Sequence, residues 1–222
     1  MQPLASEAAP DCGSSGLVVV SVVSHGHKHQ VQGLLNDLVR FSRGRISRVV
    51  LTLNQPEAAP QPPAAGWPFA LHIVRNIRPL GFGANHNRAL SGAGEPFVCV
   101  LNPDVRWDGC DPLEAMVQAA AQPGVGCSYP VQIDNVGRWQ DSARALPTPA
   151  ALFRRRVLGQ REARVDWVNA ACLVLPQPVW QRLQGFDEAY FMYCEDVDLC
   201  LRLRLAGLAL APAPAQVVHA GQ

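Results

Sequence analysis

Residues 17–23 read LVVVSVV, and no other stretch limits the fold as tightly. A continuous β-branched run without alternation describes a strand covered on both faces, which calls for a sheet between two helix layers. After residues 24–30, SHGHKHQ, apolar positions at Val31, Leu34, Leu35 and Leu38 have helical spacing up to Phe41, and residues 46–53 form a second apolar strand. A strand, a helix and a strand in that span make a right-handed crossover between two parallel strands.

The remaining pattern extends the same plan. Residues 54–68 are rich in Pro and Ala and read as an irregular surface loop, with a short strand over 69–74. A helix opens at the Gly-rich stretch 81–87, GFGANHN, and a buried strand covers 97–101. Asp111 caps a helix over 111–121 whose first position is Pro112. Strands are expected over 125–133 and 165–175, with a short helix over 178–183 between the second of these and the segment 185–207, GFDEAYFMYCEDVDLCLRLRLAG. Residues 143–164, which include Arg154, Arg155 and Arg156, show turn chemistry and no clear period. Residues 209–215 are punctuated by prolines, and 216–219 end the pattern. Early alternation of strands and helices that becomes mixed later suits one α/β domain with a largely parallel central sheet flanked by helices.

Composition removes several function classes. The chain has 222 residues and a net charge of +1, which offers no electrostatic footprint for nucleic acid. Seven cysteines, an odd number without a Cys-x-x-Cys pair, argue against a disulfide framework or a cysteine-rich zinc site and for a reducing compartment. Residues 1–16 carry no Lys or Arg, unlike a secretory signal, and read as a disordered tail. No apolar run approaches the ~20 residues of a membrane helix. A cytoplasmic protein is expected, with peripheral association at the inner membrane face left open.

Four stretches carry candidate chemistry. In 195–205 acids occupy the first helical turn and arginines the last, Gly207 follows the end, and Asp198 and Arg202 are spaced for an i,i+4 ion pair. Glu195 and Asp196 thus begin a helix just after an aromatic run (Tyr190, Phe191, Tyr193), where a carboxylate stays ionised and can face a ligand as a general base, or simply cap the helix. Asn102-Pro103-Asp104 follows a buried strand, at the carboxyl edge where open α/β sheets bind ligands. By residue chemistry alone Asp104 is either a cation ligand or part of a turn. His219 is a lone histidine after a β-like segment. The stretch 81–88 brings backbone N–H groups near a phosphate or only makes packing room.

The density of these features resembles inverting family 2 glycosyltransferases, in particular the rhamnosyltransferase-like branch, with matching motifs in unbroken order from Leu17 to His219. The carriers are FDE with EDVDLCLRLRLAG, LNPDV over 101–105, the GFGANHNR loop with Asn76 upstream, VDW over 165–167 with Ala170 and Ala171, QDSARALP over 140–147, and the terminal histidine. The resemblance implies a GT-A fold over 17–222, divided into a nucleotide-binding half (17–104) and an acceptor-facing half (105–222). It implies Asp196 as catalytic base with Glu195 orienting or substituting for it. Ser24, Asn54, Asn76, Gly81, Gly83, Asn87, Arg88, Asn102 and Asp104 would bind the donor, and Trp167, Ala170 and Ala171 would line its sugar. Asp104 and His219 would hold Mg²⁺ or Mn²⁺.

The implied partners are a dTDP- or UDP-sugar, with dTDP-rhamnose suggested by the branch, and a hydroxyl on a glycan or lipid-linked acceptor. Two departures stand out. Asn102 replaces the first Asp of the Asp-x-Asp metal motif, as is usual in this branch. Leu53-Asn54 stands where the family has Asp-Asn, so the Asp that reads the pyrimidine is missing. His25-Gly26 also replaces two of the three residues of the Ser-Tyr-Asn loop, and the alternating histidines 25, 27 and 29 are read as approaching the base or ribose rather than a metal. Two other classes remain: a non-catalytic nucleotide- or glycan-binding homologue, and a sugar nucleotidyltransferase, which SHGHKH does not favour because it lacks the Gly-rich phosphate signature.

Overall fold

The computed structural model describes residues 17–146 and 165–220. The expected tail over 1–16 and the arginines at 154–156 lie outside the described residues.

The run of valines becomes β1 (Val18–Ser24), followed by α1 (Lys28–Phe41) and β2 (Ile46–Leu53). Next come β3 (Ala70–Arg75), α2 (Phe82–Leu90), β4 (Phe97–Leu101), β5 (Val105–Trp107), α3 (Pro112–Ala120) and β6 (Val125–Ile133). The last part holds β7 (Ala143–Arg144), β8 (Trp167–Val168), β9 (Cys172–Pro176), α4 (Gln177–Leu183), α5 (Glu195–Leu205) and β10 (Ala209–His219). Eight strands make one sheet in the order β3-β2-β1-β4-β9-β6-β10-β5, and β7 pairs with β8 separately. Only β9 and β5 run against the others, so the sheet is mixed and mostly parallel.

Both faces of that sheet are buried, as the unalternating β1 required. Val18, Val20 and Val22 join Leu34, Leu35, Leu38 and Met116 on the face of α1 and α3. Val19, Val98 and Val100 join Leu90, Trp180, Leu199 and Leu203 on the face of α2, α4 and α5. A fully buried valine stabilises by roughly 1.5–3 kcal/mol, so the central strands supply much of the driving force. Asp111 caps α3 as expected, its carboxylate accepting from the Leu113 N–H at 3.1 Å with Pro112 next.

Three details differ from the sequence reading. The strand expected over 165–175 is broken: Trp167–Val168 and Cys172–Pro176 belong to different sheets. Asn169–Ala171 turn the chain between them, and the Asn169 N–H donates to Ser142 O rather than to a ladder. Val105–Trp107 is a short strand that pairs antiparallel with the end of β10. Finally, β10 runs through Pro212 and Pro214 as one element, with a register shift against β6 between Pro212 and Gln216.

Candidate active site

Topology gathers the candidate residues. The chain leaves β1 toward β2 and β3 on one side, then returns to place β4 on the other. Ligands bind open sheets at such a switch point, outside the carboxyl ends of the strands. Here that edge carries Ser24, Asn54, Asn76, Asn102 and His219. Because β9 is antiparallel, its entry is also at this edge: Leu101 pairs with Cys172, and Asn102 N–H donates to Ala171 O at 2.8 Å. Ser24 is buried and its Oγ accepts from the His27 N–H at 3.1 Å, shaping the loop before α1.

Asp104 and His219 face each other, with Oδ2 and Nε2 3.3 Å apart. Burial pushes the Asp104 carboxyl up. The hydrogen bond and charge of His219, its own backbone N–H and the charge of His27 outweigh this and hold it below the usual Asp range. On its other side the His219 ring meets Gln132: Nδ1 lies 3.1 Å from Oε1, an atom that can only accept. The lowered Asp104 pKa belongs to the form in which Nε2 carries a proton toward Asp104; with the proton on Nδ1 alone, the Nε2 lone pair faces the carboxylate, an arrangement that a cation between them would relieve. Cis ligands of an octahedral ion with bonds of about 2.1 Å lie about 3 Å apart, close to the observed pair. The two residues therefore fit a divalent cation as two of its ligands. Among the described residues no group of three or more His, Cys, Asp or Glu is assembled for a metal, so the remaining ligands would come from diphosphate oxygens and water.

The donor-loop residues divide into builders and clamps. Asn54 Oδ1 accepts from Asn76 Nδ2 (2.8 Å) and Leu80 N (2.9 Å), while its Nδ2 donates to Leu80 O (3.0 Å) and lies 3.3 Å from His25 Nδ1. Asn76 also donates to Asn85 Oδ1 (2.7 Å), and Asn85 donates to the carbonyls of Leu80 and Gly81. Three amides thus brace the 80–81 turn, and Arg88 reaches Asn76 Oδ1 at 3.4 Å from an exposed position.

Gly81 and Gly83 make room for the segment after Gly185. A Cβ on Gly81 would lie 2.6 Å from Phe191 O, and one on Gly83 2.7 Å from Phe186 Cβ. Phe82 N–H, at the start of α2, donates to Phe191 O (2.9 Å). Asn87 holds Phe186 through both its N–H (2.9 Å) and its carbonyl (2.8 Å), and reaches Glu188 at 3.0 Å. Sequence reasoning assigned these positions to the donor and did not see that they seat the 186–191 segment. It also passed over His86, fully buried between Phe82 and Phe186 and bonded to Ser21 Oγ at 2.8 Å. Burial lowers its pKa to about 3, so it is a neutral core residue.

The acids begin α5 as expected, and Asp198 pairs with Arg202 at 2.7 Å. Two consecutive non-glycine residues with positive φ, Tyr193 (69°) and Cys194 (71°), turn the aromatic loop into the helix. Such residues cost of order 1–3 kcal/mol each and cluster at functional sites. Glu195 is buried, with Oε2 unpartnered. Burial and the neighbouring Asp196 raise its pKa, against its own backbone N–H. Asp196 is partly exposed. Burial raises its pKa too, opposed by the backbone N–H groups of Val197, of Asp196 itself and of Ala170, and by the charge of Arg144. Desolvation therefore outweighs the helix end for both carboxyls and raises their affinity for a proton, which suits a carboxylate acting as general base.

The contact with Ala170 sets Asp196 against the turn that also holds Asn102 through Ala171. Ala170 and Ala171 are buried, while Trp167 carries the Arg144 guanidinium over its ring at 5.4 Å. Arg144 is a further neighbour of Asp196 that sequence reasoning missed; its only signal was a position within QDSARALP.

A mixed, mostly parallel sheet whose strand order switches beside β1, with helices on both faces, matches the GT-A fold of glycosyltransferases. Residues 16–220 match the glycosyltransferase like family 2, and the chain belongs to that family. Among characterised proteins it is similar to N-acetylglucosaminyl-diphospho-decaprenol L-rhamnosyltransferase of Mycobacterium tuberculosis, 33% identical over 171 residues, covering 63% of this chain and 55% of that protein. Rhamnosyltransferase WbbL of Escherichia coli is 26% identical over 218 residues, covering 90% of this chain and 81% of WbbL. The chain thus spans little more than half of the mycobacterial relative. In three dimensions it is similar to the mannosyltransferase PcManGT of Pyrobaculum calidifontis, solved with GDP-Man and Mn²⁺. The TM-score is 0.65 at 18% identity, covering 96% of this chain and 59% of that one, which speaks for the fold.

Proposed function

We propose that the chain is an inverting glycosyltransferase. It moves a sugar, rhamnose on the evidence of its relatives' names, from a dTDP- or UDP-sugar to a hydroxyl on a glycan or lipid-linked acceptor during cell-surface polysaccharide synthesis. The observation that carries this reading is the continuity of the edge: Asp104 and His219, the Asn102–Ala171 bond, and Asp196 against Ala170. Residues 17–104 would bind the nucleotide and 105–222 would face the acceptor.

Asp104 and His219 would hold Mg²⁺ or Mn²⁺, which when bound neutralises the diphosphate leaving group. Ala170 and Ala171 leave space for the sugar close to the backbone. Asp196 accepts the acceptor's hydroxyl proton, its affinity for that proton raised by burial, and buried Glu195 orients it. Tyr190, Phe191, Met192 and Tyr193 are exposed beside the acids, and Arg75 at the end of β3, Ile77 and Arg78 in the turn after it and Arg88 on α2 are exposed as well. Apolar and aromatic side chains with arginines suit the headgroup region of a bilayer, and support peripheral association with a lipid-linked acceptor. Among the described residues no helix is long and apolar enough to cross a membrane.

The test is single-turnover transfer with saturating donor. Asp196→Asn keeps the shape but removes the proton acceptor, so donor affinity should stay within a few-fold while transfer falls by at least ~10²-fold. Near-normal turnover in Asp196→Asn with loss in Glu195→Gln would exchange the roles of the two acids. Full activity in both would place the base elsewhere, and no turnover of any nucleotide sugar by the wild type would favour a binding homologue.

A further inference from the structure

Gln132 lies on β6 with 1% of its surface exposed, beside Val217 of β10. A glutamine so buried must satisfy its amide internally, and it does so in a particular way. Its Nε2 donates to Asn169 Oδ1 at 2.6 Å, and its Oε1 accepts from Asn169 Nδ2 at 3.1 Å and faces His219 Nδ1 at 3.1 Å. Asn169 is itself tied by its backbone N–H to Ser142 O (2.9 Å). The histidine backbone is held as well, by Gln140 Nε2 donating to His219 O at 2.9 Å and by pairing with Val105.

We infer that Gln132, clamped by Asn169, is a positioning residue that fixes the His219 tautomer and so makes Nε2 available to a divalent cation beside Asp104. This rests on the proposed metal role of Asp104 and His219. An imidazole ligates through an unprotonated nitrogen, so its other nitrogen must carry the proton and needs an acceptor. Oε1 of Gln132 is that acceptor. If both amides were rotated by 180°, an N–H would face Nδ1, the proton would move to Nε2 against Asp104, and the cation position would close. The amide pair therefore decides whether the two residues form a ligand pair or an internal hydrogen bond. Asn169 also begins the turn containing Ala170 and Ala171, so the residue that orients Gln132 is continuous with the proposed sugar wall.

The experiment measures Mn²⁺ affinity by electron paramagnetic resonance of the free ion, with UDP or dTDP present, at a temperature where each variant is folded. Gln132→Leu removes the acceptor and should weaken Mn²⁺ by roughly 10–100-fold, the usual cost of losing such an outer partner. Gln132→Glu keeps an acceptor and should bind Mn²⁺ at least as tightly as the wild type, a rescue that a packing role would not produce. Asn169→Ala, a milder change should the Leu variant unfold, frees the Gln132 amide to turn and should weaken Mn²⁺ severalfold. Wild-type binding that is matched within two-fold by Gln132→Leu and Asn169→Ala overturns the inference alone. A wild type that binds no Mn²⁺ with either nucleotide overturns the metal reading and the inference with it.

Discussion

Replacing Asn87 by alanine separates two accounts of the Gly-rich loop. The motif suggests a donor contact, whereas the structure shows a clamp: the side-chain amide bonds both backbone groups of Phe186, at 2.9 and 2.8 Å, and Phe186 is 2% exposed. Removing the amide leaves a buried N–H and a buried C=O without partners, at about 1–3 kcal/mol each, and partial relaxation brings the expected total to about 2–4 kcal/mol. The third bond, to Glu188, is exposed and adds little. For a chain of this size each kcal/mol lowers Tm by ~2–4 °C, so a fall of roughly 5–15 °C is expected. Asn87→Asp keeps the acceptor for Phe186 N–H but turns an acceptor oxygen toward Phe186 O and Glu188, so it should not restore the lost stability. Calorimetric titration of UDP and dTDP, run well below the transition, should show affinity within a few-fold of wild type. An Asn87→Ala protein that melts with the wild type but loses tenfold or more in nucleotide affinity would refute the clamp and restore the direct contact.

Asp104→Ala should remove most of the Mn²⁺ or Mg²⁺ dependence of nucleoside diphosphate binding, and equal wild-type affinity with chelator and with metal would dismiss the cation. Leu53→Asp, which would introduce the aspartate that the resembled family carries at this place, should cost about 2–5 kcal/mol in urea unfolding. Leu53 is 2% exposed within the core on the α1 face, where a carboxylate is desolvated. Glu95 sets a pH window: burial pushes its carboxyl up, but hydrogen bonds from Arg48, Ser47 and its own N–H, with the Arg48 charge, bring it down to about 2. A depressed acid stabilises above its unfolded value near 4.5, so this contribution should be lost as pH falls from about 4.5 through about 2. Glu95→Gln should flatten the dependence of unfolding free energy on pH across that window, and an unchanged slope would argue against it.

How far the residues alone reveal this molecule depends on how local the determining physics is. β2, β4 and β6 were readable to the residue because each is an apolar run ended by turn chemistry, and α3 because Asp111 and Pro112 mark its start. The break at Asn169–Ala171 was not, since its partners, Ser142 and Asn102, come from other parts of the chain. Prolines hid the length of β10, yet β5 pairs only with Val217–His219. At Pro212 and Pro214 the strand has one neighbour among the described residues, so a missing N–H on the open side costs little. Asn54, Asn102 and His219 do lie at strand ends, as read. The contacts of Asn87, Gly83 and Gln132 needed the partner segments, because a side chain that holds another part of the chain has the same letter as one that holds a ligand.

The antiparallel insertion of β9 has a consequence for how such a site can change over time. Because β9 enters at the edge where β1, β2 and β4 leave, the edge positions are spaced by ladder hydrogen bonds and not by the chemistry of the loops that follow. Side chains at those positions can be exchanged while the backbone stays in register. Asn102 is a position of this kind: its backbone is held by Ala171 O and by the Val105 N–H whatever its side chain, whereas Leu53 is packed into the core and is not free to change. The scaffold thus separates what holds the backbone at the edge from what the side chains there present, so the second can vary at such a strand end without disturbing the first.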